Sequence, residues 1–267
     1  MQTEEEVTPV SPFSQVREVK AGAPLSWLKK GWKDMAQCPM QSLFFGISFL
    51  VGGYLLLWVL RDSPQYIPAV TMGFLIVGPF MAMGLYEISR RLEKGEKPSL
   101  WQSMSVWRYN CGHVAIFSVI LLVLYLVWAR ASLVSFAVFY SGKLPTFQDF
   151  MVHLIETSNY EFMIVFFGIG AVFAAFTFAI SVISIPLMLD RGYDAVTATI
   201  VSSLALATNV GPMMLWAGLI SLLAVINMGT LLIGFVITGP LLGHATWHAY
   251  RDLMERNPEE EGAKSCL

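Results

Sequence analysis

The chain has 267 residues, of which 55% are hydrophobic and 13% charged, and its formal net charge is −2. A water-soluble domain carries about 25% charged residues, so the polar surface of a soluble fold is missing. The near-balanced charge also gives no support for binding nucleic acid.

The first 24 residues are polar and proline-bearing, without the apolar centre of a signal peptide, and read as a mobile cytoplasmic tail. Three cysteines, Cys38, Cys111 and Cys266, are too few and too odd in number for a disulfide framework. Cys266 is penultimate, so it does not form a prenylation signal.

About 20 mostly apolar residues cross about 30 Å of hydrocarbon. Six stretches meet this measure: about 43–60, 69–86, 113–129, 162–189, 212–226 and 228–250. An amphipathic helix is expected ahead of each odd-numbered span. Leu25, Leu28, Trp32 and Met35 share a face in the first; Leu100, Met104 and Trp107 in the second; Val196, Ile200, Leu204 and Ala207 in the third. Breakers follow at Pro39, Gly112 and Gly211–Pro212. In the outer loop, Thr146 and Asp149 form a capping-box pattern ahead of Phe147, Phe150, Met151 and Leu154, so a surface helix is expected over about 146–157, with His153 beside its apolar stripe. An acidic tail, 254–267, closes the chain.

Orientation follows the lysines and arginines, which concentrate on the cytoplasmic side. Of the 17, only Arg61, Arg130 and Lys143 fall on the opposite side when the N-terminus is placed inside. Both termini are therefore expected in the cytoplasm.

A repeat underlies the pattern. "GFLIVGP" at 73–79 and "GFVITGP" at 234–240 agree at five of seven positions, and the following residues align without gaps. Pro79, Pro186 and Pro240 each precede an aromatic residue by seven positions (Tyr86, Tyr193, Trp247), and the next residue is Glu87, Asp194 or His248. The expected fold is all-α, with six transmembrane helices built as three direct repeats of surface helix plus transmembrane hairpin. The units are 25–97, 98–193 and 194–253. An even number of spans per unit keeps all copies in one orientation. The three prolines are expected to kink their helices, with Thr238, Ser184 and Ser181 at hand for the freed carbonyls. Gly78, Gly239 and Gly243 would permit close helix approach.

His244 and His248 stand four residues apart on one helix face. They could bind one metal ion, or His244 a haem. Their neighbours Trp247, Tyr250 and Arg251 favour the alternative of a membrane-boundary anchor. The repeat also places Glu87, Asp194 and His248 at similar depth, a candidate inner-face polar ring, with Cys38, Cys111 and His113 on the same side. Methionines are scattered, so copper handling is disfavoured. No Asp, Glu, Lys or Arg lies between the boundary residues of the six spans, which argues against an ion-coupled pump. No GxSxG, Walker A or HExxH sequence is present, so an enzyme is not expected, nor any cofactor beyond the metal or haem just named.

The stretches "WLKKGWKDM", "GFLIVGPFMAMGLYEISRRLEKGE", "LDRGYDAVTA" and "GPLLGHATWHAYRDL" together resemble an uncharacterised family of bacterial integral membrane proteins, a domain of unknown function. The resemblance runs from about Leu25 to Leu253. Some relatives carry a label of likeness to cytochrome c oxidase subunit I; this chain, with half that enzyme's spans and four histidines, departs from it. The resemblance implies a bacterial inner-membrane location and brings no catalytic or ligand residues. The expected role is non-enzymatic: an accessory, scaffold or assembly subunit of a larger membrane complex, such as a respiratory one, in contact with the bilayer and other subunits. The alternative is a carrier or binding protein for a metal, haem or small apolar molecule.

Overall fold

The computed structural model describes residues 12–62, 67–139 and 160–255. The outer-loop helix expected at 146–157, with His153, lies outside the described residues, as does the acidic tail beyond Glu255. Among the described residues the fold is all-helical, and its one β-type contact is a single bridge between Val16 and Met254.

The chain runs through α1 (Ala23–Gln37), α2 (Pro39–Asp62), α3 (Ile67–Glu93), α4 (Leu100–Ser105) and α5 (Cys111–Phe139), then α6 (Tyr160–Ser181), α7 (Ser184–Arg191), α8 (Ala195–Thr208), α9 (Val210–Gly229) and α10 (Phe235–Leu253). α1 turns by 108° into α2 at Cys38, where Pro39 opens the new helix. Proline suits that position because its missing N–H is one that a helix start leaves unpaired anyway. The breaks before α5 and α9 fall at Asn110 and Asn209, each two residues ahead of the expected glycine, Gly112 or Gly211.

Three described helices are long and apolar enough to cross a membrane: α5, α9, and α6 taken with α7; the bent α1–α2 pair makes a fourth if counted as one span. This is fewer than the six expected. The second half of α10 carries His244, His248, Arg251 and Asp252 and so is too polar. The expected fourth span is interrupted at Val182–Ile183, where Ser202 enters the break, accepting from the Ile183 amide (3.4 Å) and donating to the Ala179 carbonyl (2.8 Å). The fifth helix runs past its expected end to Gly229. The turn to α10 then passes through Leu231 and Leu232 at φ 51° and 67°, a left-handed conformation that costs about 1–2 kcal/mol per non-glycine residue.

The prolines behave in two ways. Pro79 and Pro240 lie inside α3 and α10, whereas Pro186 is the third residue of α7, just past the break. Pro240 cannot donate to the Val236 carbonyl, and α2 closes over that spot. A Cβ on Gly46 would stand 2.1 Å from the Val236 oxygen. Only glycine allows this contact between backbones. Gly31 of α1 likewise lies on α10, where a Cβ would come within 2.7 Å of the Ala245 amide nitrogen. Of the glycines expected to mediate close approach, Gly243 does so against Leu85, while Gly78 meets open space and Gly239 makes only ordinary contacts.

The buried core gathers around the second half of α10, at the end of the bundle where the first and last described residues meet. Trp27, Trp216, Trp247 and Tyr250 are fully buried there, with Trp27 edge-on to Trp216 at 5.7 Å between centroids. The segment expected as a mobile tail is bound from Gln15 onward. Gln15 accepts from the Glu255 amide and Arg17 donates to Leu253, both at 2.8 Å. Asn209 holds the same segment by accepting from Val19 (2.7 Å) and donating to Arg17 (2.9 Å).

Candidate functional site: a polar cluster around α10

The last three turns of α10 place a polar side chain on almost every azimuth, and each reaches a different helix. His244 points between α2 and α3. Its Nε2 pairs with Ser42 Oγ at 2.9 Å and its Nδ1 with Ser89 Oγ at 2.8 Å. All three side chains are buried. A neutral imidazole has one donor and one acceptor nitrogen, and each serine hydroxyl can take the complementary role. The ring is therefore fully satisfied inside the protein.

One turn on, His248 turns toward α1 and pairs through Nε2 with Asp34 Oδ2 at 2.8 Å. Asp252 continues the same face. It accepts from the Trp27 indole (2.8 Å) and forms an exposed ion pair with Lys30 (3.2 Å). α1 is thus fixed to α10 by close backbone packing at Gly31, a histidine–aspartate pair and a tryptophan–aspartate bond.

The opposite azimuth meets α3 and α7. Arg251 pairs with Glu93 at 3.1 Å and Asp190 at 3.4 Å. The Trp247 indole donates to Glu93 (3.3 Å), and the Tyr250 hydroxyl donates to Asp190 (2.6 Å) while accepting from Arg191 (3.1 Å). Arg191 also reaches Gln15 and the Glu255 carbonyl. Glu87 of α3 is buried and held at 2.7 Å by both Arg90 and Arg91. Buried charges need such partners, since an isolated one is costly.

The residues singled out by sequence fall out as follows. His244 is not a boundary anchor: it lies wholly inside protein, while Trp247 and Tyr250 beside it are buried and hydrogen-bonded. His244 and His248 share a face yet bond separate partners. No group of three or more His, Cys, Asp or Glu among the described residues could hold a metal ion. Glu87, Asp194 and His248 do not form a ring of mutual contacts; each is engaged elsewhere. Asp194 caps α8, accepting from the Thr197 hydroxyl (2.6 Å) and amide (2.8 Å). These bonds, the hydroxyl first, hold its carboxyl below the usual range. Cys38 is buried at the α1–α2 break, and burial followed by the Asp34 charge pushes its thiol up, away from thiolate reactivity. Cys111 is exposed at the start of α5.

Sequence reasoning missed Asp34, Ser42, Ser89, Glu93, Asp190 and Asp252. One signal was available. Trp27, Gly31 and Asp34 recur at helical spacing on the face of α1 opposite Leu25 and Trp32, and it is this face that is buried.

Residues 66–190 match the family model described as "Predicted integral membrane protein (DUF2189)". That stretch of the chain is therefore similar to an integral membrane family of unknown function. It covers α3 to α7 but stops short of α10. No curated protein and no solved structure matches the chain.

Proposed function

We propose that the protein is a non-enzymatic subunit that scaffolds or assembles a larger complex in the inner membrane of a bacterium. In this reading six spans form three units of surface helix plus hairpin, and both termini lie in the cytoplasm. Repeated helix–break–helix junctions at Cys38, Asn110 and Asn209 support the repeat. The short polar second half of α10 would stand beyond the hydrocarbon, at the cytoplasmic boundary.

The observation that carries the reading is the direction of the three short helices. Apart from Trp27 and Val201, α1, α4 and α8 pack inward mainly through small or polar residues: Gly31 and Asp34, Ser103, and Ala198, Ser202 and Ala205. Several of their large apolar side chains point outward, with Leu25 59%, Trp101 74% and Val196 58% exposed. Contiguous outward apolar surface marks a contact with lipid or another protein. Meanwhile the polar groups around α10 are consumed by one another, an arrangement that fixes helices.

The test is photo-crosslinking in native membranes at native expression, with a benzophenone residue at Trp101 or Ile200. The expected result is a discrete adduct to one or a few other membrane polypeptides. Adducts to lipid alone, with the lone chain recovered in mild detergent, would defeat the complex-subunit reading. A stoichiometric metal or a Soret band abolished by His244→Ala would favour the ligand-carrying alternative instead.

A further inference from the structure

We propose that the groove between α5 and α6 binds a membrane-dissolved molecule with an apolar body and a carbonyl oxygen that accepts hydrogen bonds. It measures about 500 Å³ and is walled by Tyr125 and Trp128 of α5 and by Phe173, Thr177, Phe178 and Ser181 of α6. α5, and α6 taken with α7, are long and apolar enough to cross a membrane, and α6 is largely unburied by the rest of the protein. The medium against the groove is therefore hydrocarbon, which supplies no partner for a polar group.

The polar atoms on this wall name the ligand. Several hydroxyls on other helix faces pair within their own helix. Ser48, Ser118, Ser135 and Thr246 each donate to the carbonyl four residues back, the usual way to silence a hydroxyl in an apolar setting. Thr177 and Ser181, which line the groove, do not, and neither do Ser132 and Ser221 outside it. Along with the Tyr125 hydroxyl and the Trp128 indole, the two groove hydroxyls make no hydrogen bond among the described residues. Tyr125 and Trp128 are three residues apart and Thr177 and Ser181 four apart, so each pair shares a helix face. Indole nitrogen donates only. The missing partner is therefore an acceptor, and acyl chains have none.

A carbonyl fits from either of two sources, the ring of a prenylated quinone or the ester of a glycerolipid. The rings suit either body: Tyr125 and Trp128 lie 5.8 Å apart at a 42° tilt, facing the phenylalanines of α6. The site is distinct from the polar cluster of α10.

This inference rests on the carrier reading and not on the complex-subunit one, so the two fail separately: loss of protein partners in a crosslinking experiment leaves it standing. The test uses the purified full chain in lipid nanodiscs, with uptake measured against concentration for decylubiquinone in one arm and dioleoylglycerol in the other. Saturable binding is expected in at least one arm, and the arm that saturates identifies the source. Thr177→Val/Ser181→Ala and, separately, Trp128→Phe should each weaken it about tenfold, as loss of hydrogen bonds to a neutral acceptor does. Trp128→Phe keeps a ring in place, so it remains informative if the double variant does not fold. Linear, non-saturating uptake in both arms overturns the proposal, and so does saturable binding that the folded variants leave unchanged.

Discussion

At the scale of single residues, the structure depends on places where backbone and side chain have no slack. Gly46 is one. Its substitution by alanine would drive a methyl group into the Val236 carbonyl, the oxygen that Pro240 leaves without its helical donor. Overpacking of this kind costs about 1–3 kcal/mol, and thermal unfolding of Gly46→Ala in detergent should show it; an unchanged midpoint would mean that α2 and α10 are not in backbone contact. His244→Ala should cost about 3 kcal/mol, through the lost ring and two stranded hydroxyls. Adding Ser42→Ala and Ser89→Ala should then recover part of that loss, because the unpaired groups are removed with their partner. Asp194→Ala should cost about 1 kcal/mol at neutral pH as a lost helix cap. Because the Asp194 carboxyl is held below its unfolded value, its charge-dependent stabilisation is full above the unfolded pKa and disappears as pH falls through the folded one. The gap between wild type and Asp194→Ala should therefore narrow on acidification below about pH 4, and a gap that stays constant would contradict this assignment.

At the scale of helices, periodicity in the sequence located the apolar faces of α1 and α8 but not what lies against them. Leu25 and Trp32 form a stripe, as do Val196 and Ile200, yet each stripe points away from the protein. In water an apolar face turns inward, because hydration drives it there. Beside a bilayer that drive is absent, and the close contacts go to small and hydrogen-bonding residues instead. The same reason hid the glycines that matter. Gly46 and Gly31 sit in ordinary-looking stretches, whereas the conspicuous Gly78 meets open space. Single-tryptophan variants in vesicles of brominated phospholipid should separate the two classes of face. Trp32 and Trp101 are expected to be quenched strongly, and Trp27, Trp216 and Trp247 weakly. Uniform quenching would mean that α1 and α4 do not lie against lipid as drawn.

At the scale of the whole molecule, composition and span-length runs made the membrane class legible, and the match over residues 66–190 agrees with it. Helices at 39–62, 67–93, 111–139, 160–181, 210–229 and 235–253 overlap the six expected segments, with ends displaced by up to ten residues, but only three of the described helices, or four with the bent α1–α2 pair, are long and apolar enough to cross a membrane. The burial and the partners of His244 were not legible. Aligning "GFLIVGP" with "GFVITGP" sets a residue's height along the helix but leaves its azimuth undetermined. Azimuth decides whether an imidazole at the membrane edge meets headgroups or two serines of neighbouring helices. Carboxylates far apart in sequence, Asp34, Glu93 and Asp190, could converge on α10 only through tertiary packing, which no local pattern encodes.

The proposed topology places on the cytoplasmic side the end of the bundle that is closed by the polar cluster around α10, with Ser42, Ser89 and His244 buried within it. Cysteine labelling tests it most directly, using a membrane-impermeant maleimide on a chain whose native cysteines are serines. Lys94→Cys and Gly192→Cys, both at exposed positions, should react in inside-out vesicles and not in intact cells. The near-isosteric Ser42→Cys and Ser89→Cys should stay unreactive from both faces until the protein is denatured. Labelling of Ser42→Cys or Ser89→Cys in the folded protein, or of Lys94→Cys from outside the cell, would contradict it.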